Sequence, residues 1–246
     1  MTVPLGLRAR PESFMPDPLR ILYRDEAVLA VDKPSGVLTV PGRAPSKEGE
    51  PAPLWAQVQG VAADALPVHR LDRETSGVVL FALGTAAQRA LSSSLEDRKA
   101  EKIYLALVRG DLPAEVRCDL ALHEARAGGM RVARPGEVGG KPSRTDFTPL
   151  ERFGSYTWVR CRPHTGRTHQ IRVHLAALGH PLAIDARYGD AGAPSELGLA
   201  RLALHAASIR VPHPDGERWL LVESPLPDDL QQALDRLRAE RRSRQP

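Results

Sequence analysis

The sequence predicts an α+β fold in which helices flank a mixed, mostly antiparallel sheet. Three observations predict it. Apolar runs of strand length outnumber helical periods along the 246 residues. Strands and helices do not alternate in the βαβ manner that a parallel sheet requires. Hydrophobic residues make up 42% of the chain but aromatics only 4%, so the core is expected to be built from Leu, Val, Ala and Ile.

Each element follows from local chemistry. Residues 1–19 carry Pro4, Pro11, Pro16 and Pro18 with little apolar period and read as an irregular arm. Ile21-Leu22-Tyr23 and Val28-Leu29-Ala30-Val31 are two short strands around Asp25-Glu26, and Lys33-Pro34-Ser35-Gly36 has turn chemistry. Residues 44–53 form a surface loop before a short helix at 54–58. Val78-Val79-Leu80-Phe81-Ala82-Leu83 is a strand, after which Thr85 is placed to cap a helix through about Asp97. Ile103, Leu105 and Leu107 then alternate with Tyr104, Ala106 and Val108, so Tyr104 faces away from Ile103 and Leu105. Gly128-Gly129, Pro135-Gly136 and Gly139-Gly140 punctuate a hairpin region around 130–133, and strands follow at 145–153 and 156–162. Thr168 is placed to cap a helix through about Leu178 that Gly179 ends. Leu230, Leu234 and Leu237 form the apolar stripe of a last helix opened near Asp228, with 241–244 as a frayed tail. With no internal repeat or linker, residues 20–240 are expected to form a single domain.

Composition narrows the class of function. A net charge of +4 suits an anionic partner, of which nucleic acid is the commonest. Cys118 and Cys161 lie far apart without a Cys-x-x-Cys pair, so buried free thiols are expected rather than a zinc ribbon or a disulfide framework. The N-terminus lacks the apolar stretch of a signal peptide and no segment has the apolar length of a membrane span, which points to the cytoplasm.

Two segments are denser in polar groups than a turn requires. Val68-His69-Arg70-Leu71-Asp72-Arg73-Glu74-Thr75-Ser76-Gly77 precedes the apolar strand, and for a generic sequence it reads as a solvated loop with a capping Asp. Arg162-Pro163-His164-Thr165-Gly166-Arg167-Thr168-His169-Gln170-Ile171-Arg172-Val173-His174 enters a helix from a glycine-containing turn. Its helix start and Arg167 suit a phosphate, and an amphipathic helix with a polar face explains the same pattern equally well.

Together with Ile21-Leu22-Tyr23-Arg24-Asp25-Glu26 leading to Lys33-Pro34-Ser35-Gly36, with Lys102-Ile103-Tyr104-Leu105-Ala106-Leu107-Val108, and with Gly179-His180-Pro181, these segments resemble the RluA family of pseudouridine synthases, in the family's order and over nearly the whole chain. Val37-Leu38-Thr39-Val40-Pro41-Gly42-Arg43 looks most like the small subgroup that acts on ribosomal and transfer RNA stem-loops and has no S4 RNA-binding domain. The resemblance implies the pseudouridine synthase catalytic fold with a central RNA-binding cleft, a monomeric enzyme, an RNA substrate and no cofactor or metal. It also implies that Asp72 is the catalytic carboxylate, either attacking ribose C1′ or taking a proton to give a glycal. Arg172 is expected to pair with Asp72, because burial alone disfavours an ionised carboxylate and a neighbouring arginine restores it. Tyr104 is expected to stack on the target base and to serve as a base at C5. Arg70 is expected to fill the helix position that a flipped uridine vacates. Further RNA contacts are implied at His69, Arg167, His169 and Lys33, and the charge balance adds Lys141, Arg144 and the basic tail as phosphate contacts.

Two positions depart from the family's pattern. Ile184-Asp185 stands where Gly-Asp is usual, and Asp32 where Asn precedes Lys33; the branched Ile184 is expected to alter a turn beside the RNA groove. His164, His169 and His174 recur every five residues without a metal-site pattern. A glycosidase reading would need two facing carboxylates and has no positive signal. The alternative from another class is an RNA-binding protein without turnover, against which the intact Asp72, Tyr104 and Arg172 set argues.

Overall fold

The computed structural model describes residues 19–42, 49–126, 129–189 and 197–243. The proline-bearing arm up to residue 18, part of the 44–53 loop, Gly128 and Arg244 lie outside them.

In chain order the elements are β1 (Arg20–Arg24), β2 (Val28–Lys33), α1 (Leu54–Gln59), β3 (Ala65–Pro67), β4 (Ser76–Leu83), α2 (Thr85–Glu96), β5 (Glu101–Arg109), β6 (Val116–Cys118), β7 (Leu122–Glu124), β8 (Met130–Val132), β9 (Thr145–Arg152), β10 (Tyr156–Pro163), α3 (Gln170–Ala177), β11 (Leu204–Pro212), β12 (Trp219–Glu223) and α4 (Asp228–Ser243). One ten-stranded sheet runs β1-β2-β4-β11-β5-β10-β9-β6, with β3 added to β4 and β12 to β11. Among the described residues only β4 and β11 pair in parallel and every other strand pairing is antiparallel, as the α+β reading expects. The β7–β8 hairpin stands apart as a second sheet.

The alternation on β5 organises the molecule. Ala106 and Val108 pack with Val159, Ile171 and Leu175 on the face covered by α3. Leu107, with Leu105 beside it, packs with Trp158, Leu230, Leu234 and Leu237 on the face covered by α4. Tyr104, on the α3 side, bridges that cluster and the larger one around β2, β4, α1 and α2. One strand therefore turns Leu105 and Leu107 to the covering helix α4 on one face and the cavity-lining Tyr104 to the other.

The α4 helix corrects the expected tail. It continues through Ser243, with the Arg241 guanidinium 5.3 Å from the Phe153 ring centroid and 3.7 Å from Glu151. Since α4 covers the sheet face opposite Tyr104, Arg241 and Arg242 lie on the far side of the sheet from that residue. Both expected helix caps also shift by one residue. Gly84, at φ +85°, precedes α2, so Thr85 is its first residue. His169, in the left-handed region at φ +54°, precedes α3 in place of Thr168.

Strands β3, β6, β7, β11 and β12 were not expected. The central strand β11 has the sequence Leu-His-Ala-Ala-Ser-Ile-Arg-Val-Pro, whose small residues and buried His205 carry no apolar alternation. Its approach to β4 explains Gly77: a Cβ there would lie 2.2 Å from the Ala206 carbonyl oxygen, and φ is +117°. Cys118 and Cys161 are free and buried.

Candidate active site

Asp72 sits in the connection between β3 and β4, and buried polar contacts hold that connection still. Lys33, fully buried, donates to the carbonyls of Pro34, Val37 and Arg73 at 2.8, 2.7 and 2.9 Å. Gly36 N–H also donates to the Arg73 carbonyl at 2.8 Å, and Ser35 Oγ to that of Glu74 at 2.6 Å. Thr39 Oγ1 donates to the Leu71 carbonyl and accepts from the Leu71 N–H, each at 3.1 Å. The Lys33-Pro34-Ser35-Gly36 turn thus clamps the backbone after Asp72, and Thr39 clamps the residue before it. Burial lowers the Lys33 pKa to about 7 against the raising effect of Glu74 and Asp72. With no exposed surface, Lys33 is an anchor and not the RNA contact expected of it.

His69 is also turned inward. Its Nε2 accepts the Leu80 N–H at 3.0 Å, and burial, helped by the Lys102 charge, lowers its pKa to about 3, so the ring is neutral. It ties the loop to β4 while its edge lines the cavity. Arg70 is exposed at the cavity rim and has no partner among the described residues, so it is free to reach outward.

The second wall comes from α3, which buries polar side chains beside its apolar Ile171 and Leu175. Gln170, Arg172 and His174 are all buried, and each is satisfied. Gln170 Oε1 accepts from Thr165 Oγ1 at 2.7 Å and from the Arg167 N–H at 3.1 Å, while its Nε2 donates to the Arg144 carbonyl at 2.9 Å. This side chain closes the 165–170 turn in place of a helix cap and uses one of the N–H groups expected to face phosphate. Arg167 lines the cavity, with its Nε 3.4 Å from the Pro142 carbonyl. The three spaced histidines each serve a separate neighbour: His164 faces Asp146, His169 faces Tyr188, and His174 lies between Ser143 and Thr145.

Arg172 is ion-paired with Asp72 as expected, but its hydrogen bonds go to another carboxylate. Its Nε and Nη2 each donate to Asp185 at 2.8 Å, a bidentate pair buried on both sides, with side chains 7% and 1% exposed. Only Nη1 is turned to Asp72, at 3.6 Å, and to Glu74, at 3.8 Å. Burial opposes the Arg172 charge, but the hydrogen bonds to Asp185 and the carboxylates of Asp185, Asp72 and Glu74 outweigh it and raise its pKa. Burial likewise works against Asp185, and Arg172 with the N–H groups of Arg187 and Tyr188 overcomes it and lowers the pKa. Asp185 therefore carries the cost of the buried guanidinium, and Asp72 receives a fixed cation without being tied down. Among the described residues no hydrogen bond ends on the Asp72 carboxylate.

His169 Nε2 is 3.8 Å from the other Asp72 oxygen. Its Nδ1 lies 2.7 Å from the Tyr188 hydroxyl, which also accepts the Met130 N–H at 2.9 Å. The Arg172 guanidinium carbon lies 5.1 Å from the Tyr188 ring centroid. Tyr188 went unnoticed in the sequence; its place three residues after Asp185 was the available signal.

These walls enclose a cavity of about 250 Å³ with Asp72, Tyr104, Arg172, His169, Lys102 and Leu204 in its lining and Arg70 and Arg167 at its mouth. Burial, and then the Asp72 charge, raise the Tyr104 pKa, so its phenol is neutral. Ile184 packs among the α4-side residues instead of bordering the cavity, and Asp32 accepts a hydrogen bond from Ser224 Oγ at 2.8 Å.

A family model described as RNA pseudouridylate synthase matches residues 27–177. Ribosomal large subunit pseudouridine synthase C of Escherichia coli (strain K12) is 42% identical over 231 residues, which cover 89% of this chain and 70% of that protein. The protein of the same description from Haemophilus ducreyi is 42% identical over 227 residues, covering 90% and 70%. Among solved structures, human RNA pseudouridylate synthase domain containing 1 matches with a TM-score of 0.72 and 31% identity over 92% of this chain and 95% of its own. Human RNA pseudouridylate synthase domain containing 4 shares the fold at a TM-score of 0.74 and 24% identity.

Proposed function

Since this chain belongs to the RNA pseudouridylate synthase family, we propose that it isomerises uridine in large-subunit ribosomal RNA or transfer RNA stem-loops, with Asp72 as the catalytic carboxylate. The observation that carries this reading is the placement of Asp72. Its carboxylate faces a base-sized cavity opposite Tyr104, carries no hydrogen bond among the described residues, and has one Arg172 nitrogen 3.6 Å away.

A duplex base cannot enter such a cavity, so the target nucleotide leaves its stack, at a cost of a few kcal/mol that protein contacts offset. Arg70, unpartnered at the rim, is suited to fill the vacated place. Asp72 then either bonds to C1′ or removes a ribose proton to give a glycal; in both routes the N1–C1′ bond breaks. The uracil turns, and C5 bonds to C1′ as the Asp72–C1′ bond breaks or, in the glycal route, as Asp72 returns the ribose proton; N1 gains a proton and the hydrogen of C5 is released. Arg172 stabilises the Asp72 carboxylate whenever it carries negative charge. Tyr104 stacks on the base, and its neutral hydroxyl takes the C5 proton as it gives its own proton to water. The chemistry is an internal rearrangement, balanced without a redox partner or second substrate. A monomer in the cytoplasm belongs to the same proposal.

The test is mass spectrometry with pseudouridine-specific labelling on ribosomal and transfer RNA from a deletion strain. The proposal expects a modification that disappears on deletion and returns with the wild-type gene but not with Asp72→Asn. If every uridine is unchanged by deletion, the RNA-binding alternative without turnover takes its place.

A further inference from the structure

Lys102 is the cation that the mechanism above leaves unused. It lies on β5 two residues before Tyr104, so the two side chains share one face of the strand and both line the catalytic cavity. Its Nζ sits against the Thr165-Gly166-Arg167 turn, 3.5 Å from where a Gly166 Cβ would be. Buried charges are normally paired. Lys102 is partly buried, and among the described residues its ammonium has neither an ion-pair partner nor a hydrogen bond. Lys33, by contrast, satisfies all three of its donors on carbonyls.

Position narrows the ligand to an anion beside the base. Residues two apart on a strand are separated by roughly 6.6 Å, the scale on which a nucleotide's phosphate stands from its base. Lys102, Pro163 and Thr165 also line a second cavity of about 270 Å³, which Arg98, Arg144 and Arg162 make basic. Arg144 and Arg162 there already face Asp146 and Glu101, at 3.3 Å each. Lys102 thus lines both the base-sized cavity and the basic one beside it.

We infer that Lys102 binds the RNA phosphodiester attached to the flipped nucleotide, holding the backbone while Tyr104 holds the base, and that the strand leaves through the second cavity. The inference rests on the uridine-isomerising reading. Lys102→Met retains the stem and removes the charge, and because the ammonium has no partner among the described residues the variant is expected to melt no lower than wild type.

The experiment compares wild type, Lys102→Met and Lys102→Arg on a large-subunit ribosomal RNA transcript tritiated at C5 of uridine, reading affinity across salt concentrations and tritium release. Lys102→Met is expected to weaken binding about tenfold or more and to lower the log–log salt slope by about 1, while Lys102→Arg keeps the wild-type slope. A wild-type slope in Lys102→Met overturns the inference, as does an affinity loss without a change of slope. Failure of wild type to release tritium strikes the enzymatic reading instead, because the slope is read from binding alone.

Discussion

Changing Asp185 to Asn removes one negative charge from the most buried ion pair of the site and leaves the shape intact. Asp185 meets Arg172 through two 2.8 Å hydrogen bonds, and neither side chain is more than 7% exposed. Removing one partner of a buried pair generally costs about 3–5 kcal/mol. Asn retains one oxygen for the Arg172, Arg187 and Tyr188 donors, so the cost here should be about 2–4 kcal/mol. For a chain of this length that is a melting-temperature loss of about 5–15 °C. The loss of rate has a separate origin. Freed from Asp185, the guanidinium moves the short distance to Asp72 and hydrogen-bonds the carboxylate directly. A charge-assisted bond of about 1.5–3 kcal/mol must then be broken before Asp72 reacts, slowing turnover about 10–100-fold. RNA affinity should barely change, since Asp185 touches no solvent. Thermal melting together with single-turnover tritium release at saturating enzyme separates the two effects. An Asp185→Asn protein that melts within about 2 °C of wild type and reacts at the wild-type rate would refute the reasoning.

Two further outcomes follow from the same contacts. Lys33→Met removes a donor from three carbonyls, of which that of Arg73, next to Asp72, keeps the Gly36 N–H; it should cost about 2 kcal/mol of stability and slow turnover more than it weakens RNA binding, as measured by denaturant unfolding and single-turnover kinetics. His69, His174 and His205 all have lowered pKa values, chiefly through burial, with His69 near 3. A base held neutral in the folded chain contributes its full stability above the ordinary histidine value of about 6.5 and loses it as pH falls towards the folded value, at about 1.4 kcal/mol per pH unit for each group. Stability should therefore fall below pH 6.5, and His69→Gln, which keeps an acceptor for Leu80 N–H, should flatten the slope between pH 6 and 4 by about one such increment; an unchanged slope in urea titrations contradicts it.

Much of the frame was legible because it follows local rules. The β5 alternation placed Tyr104 on the face that lines the cavity, and the Leu230, Leu234 and Leu237 stripe marked α4, both visible in periodicity alone. What escaped has a common cause. Helix α3 buries Gln170, Arg172 and His174, so hydrophobic patterning is blind to its inner face. Strand β11 escapes notice because the buried His205 and the small Ala206, Ala207 and Ser208 interrupt its apolar pattern, and Gly77 lets it close against β4. The exchange of Asp72 for Asp185 as the chief partner of Arg172 is a tertiary choice between two carboxylates, and only the path of the chain after α3 decides it. Lys33 reads as an RNA contact by charge, yet a lysine that can reach three carbonyls at once is more useful as an internal clamp.

The central claim is that the Asp72 carboxylate performs the chemistry while neighbouring cations and Tyr104 hold the RNA. Formation of each pseudouridine releases one C5 hydrogen, so tritium release from C5-labelled ribosomal and transfer RNA counts turnovers. With Asp72→Asn beside wild type, release should be stoichiometric with pseudouridine for wild type and undetectable for the variant. RNA affinity should stay close to wild type, because phosphate contacts supply most of it. Release at the wild-type rate by Asp72→Asn would contradict the account.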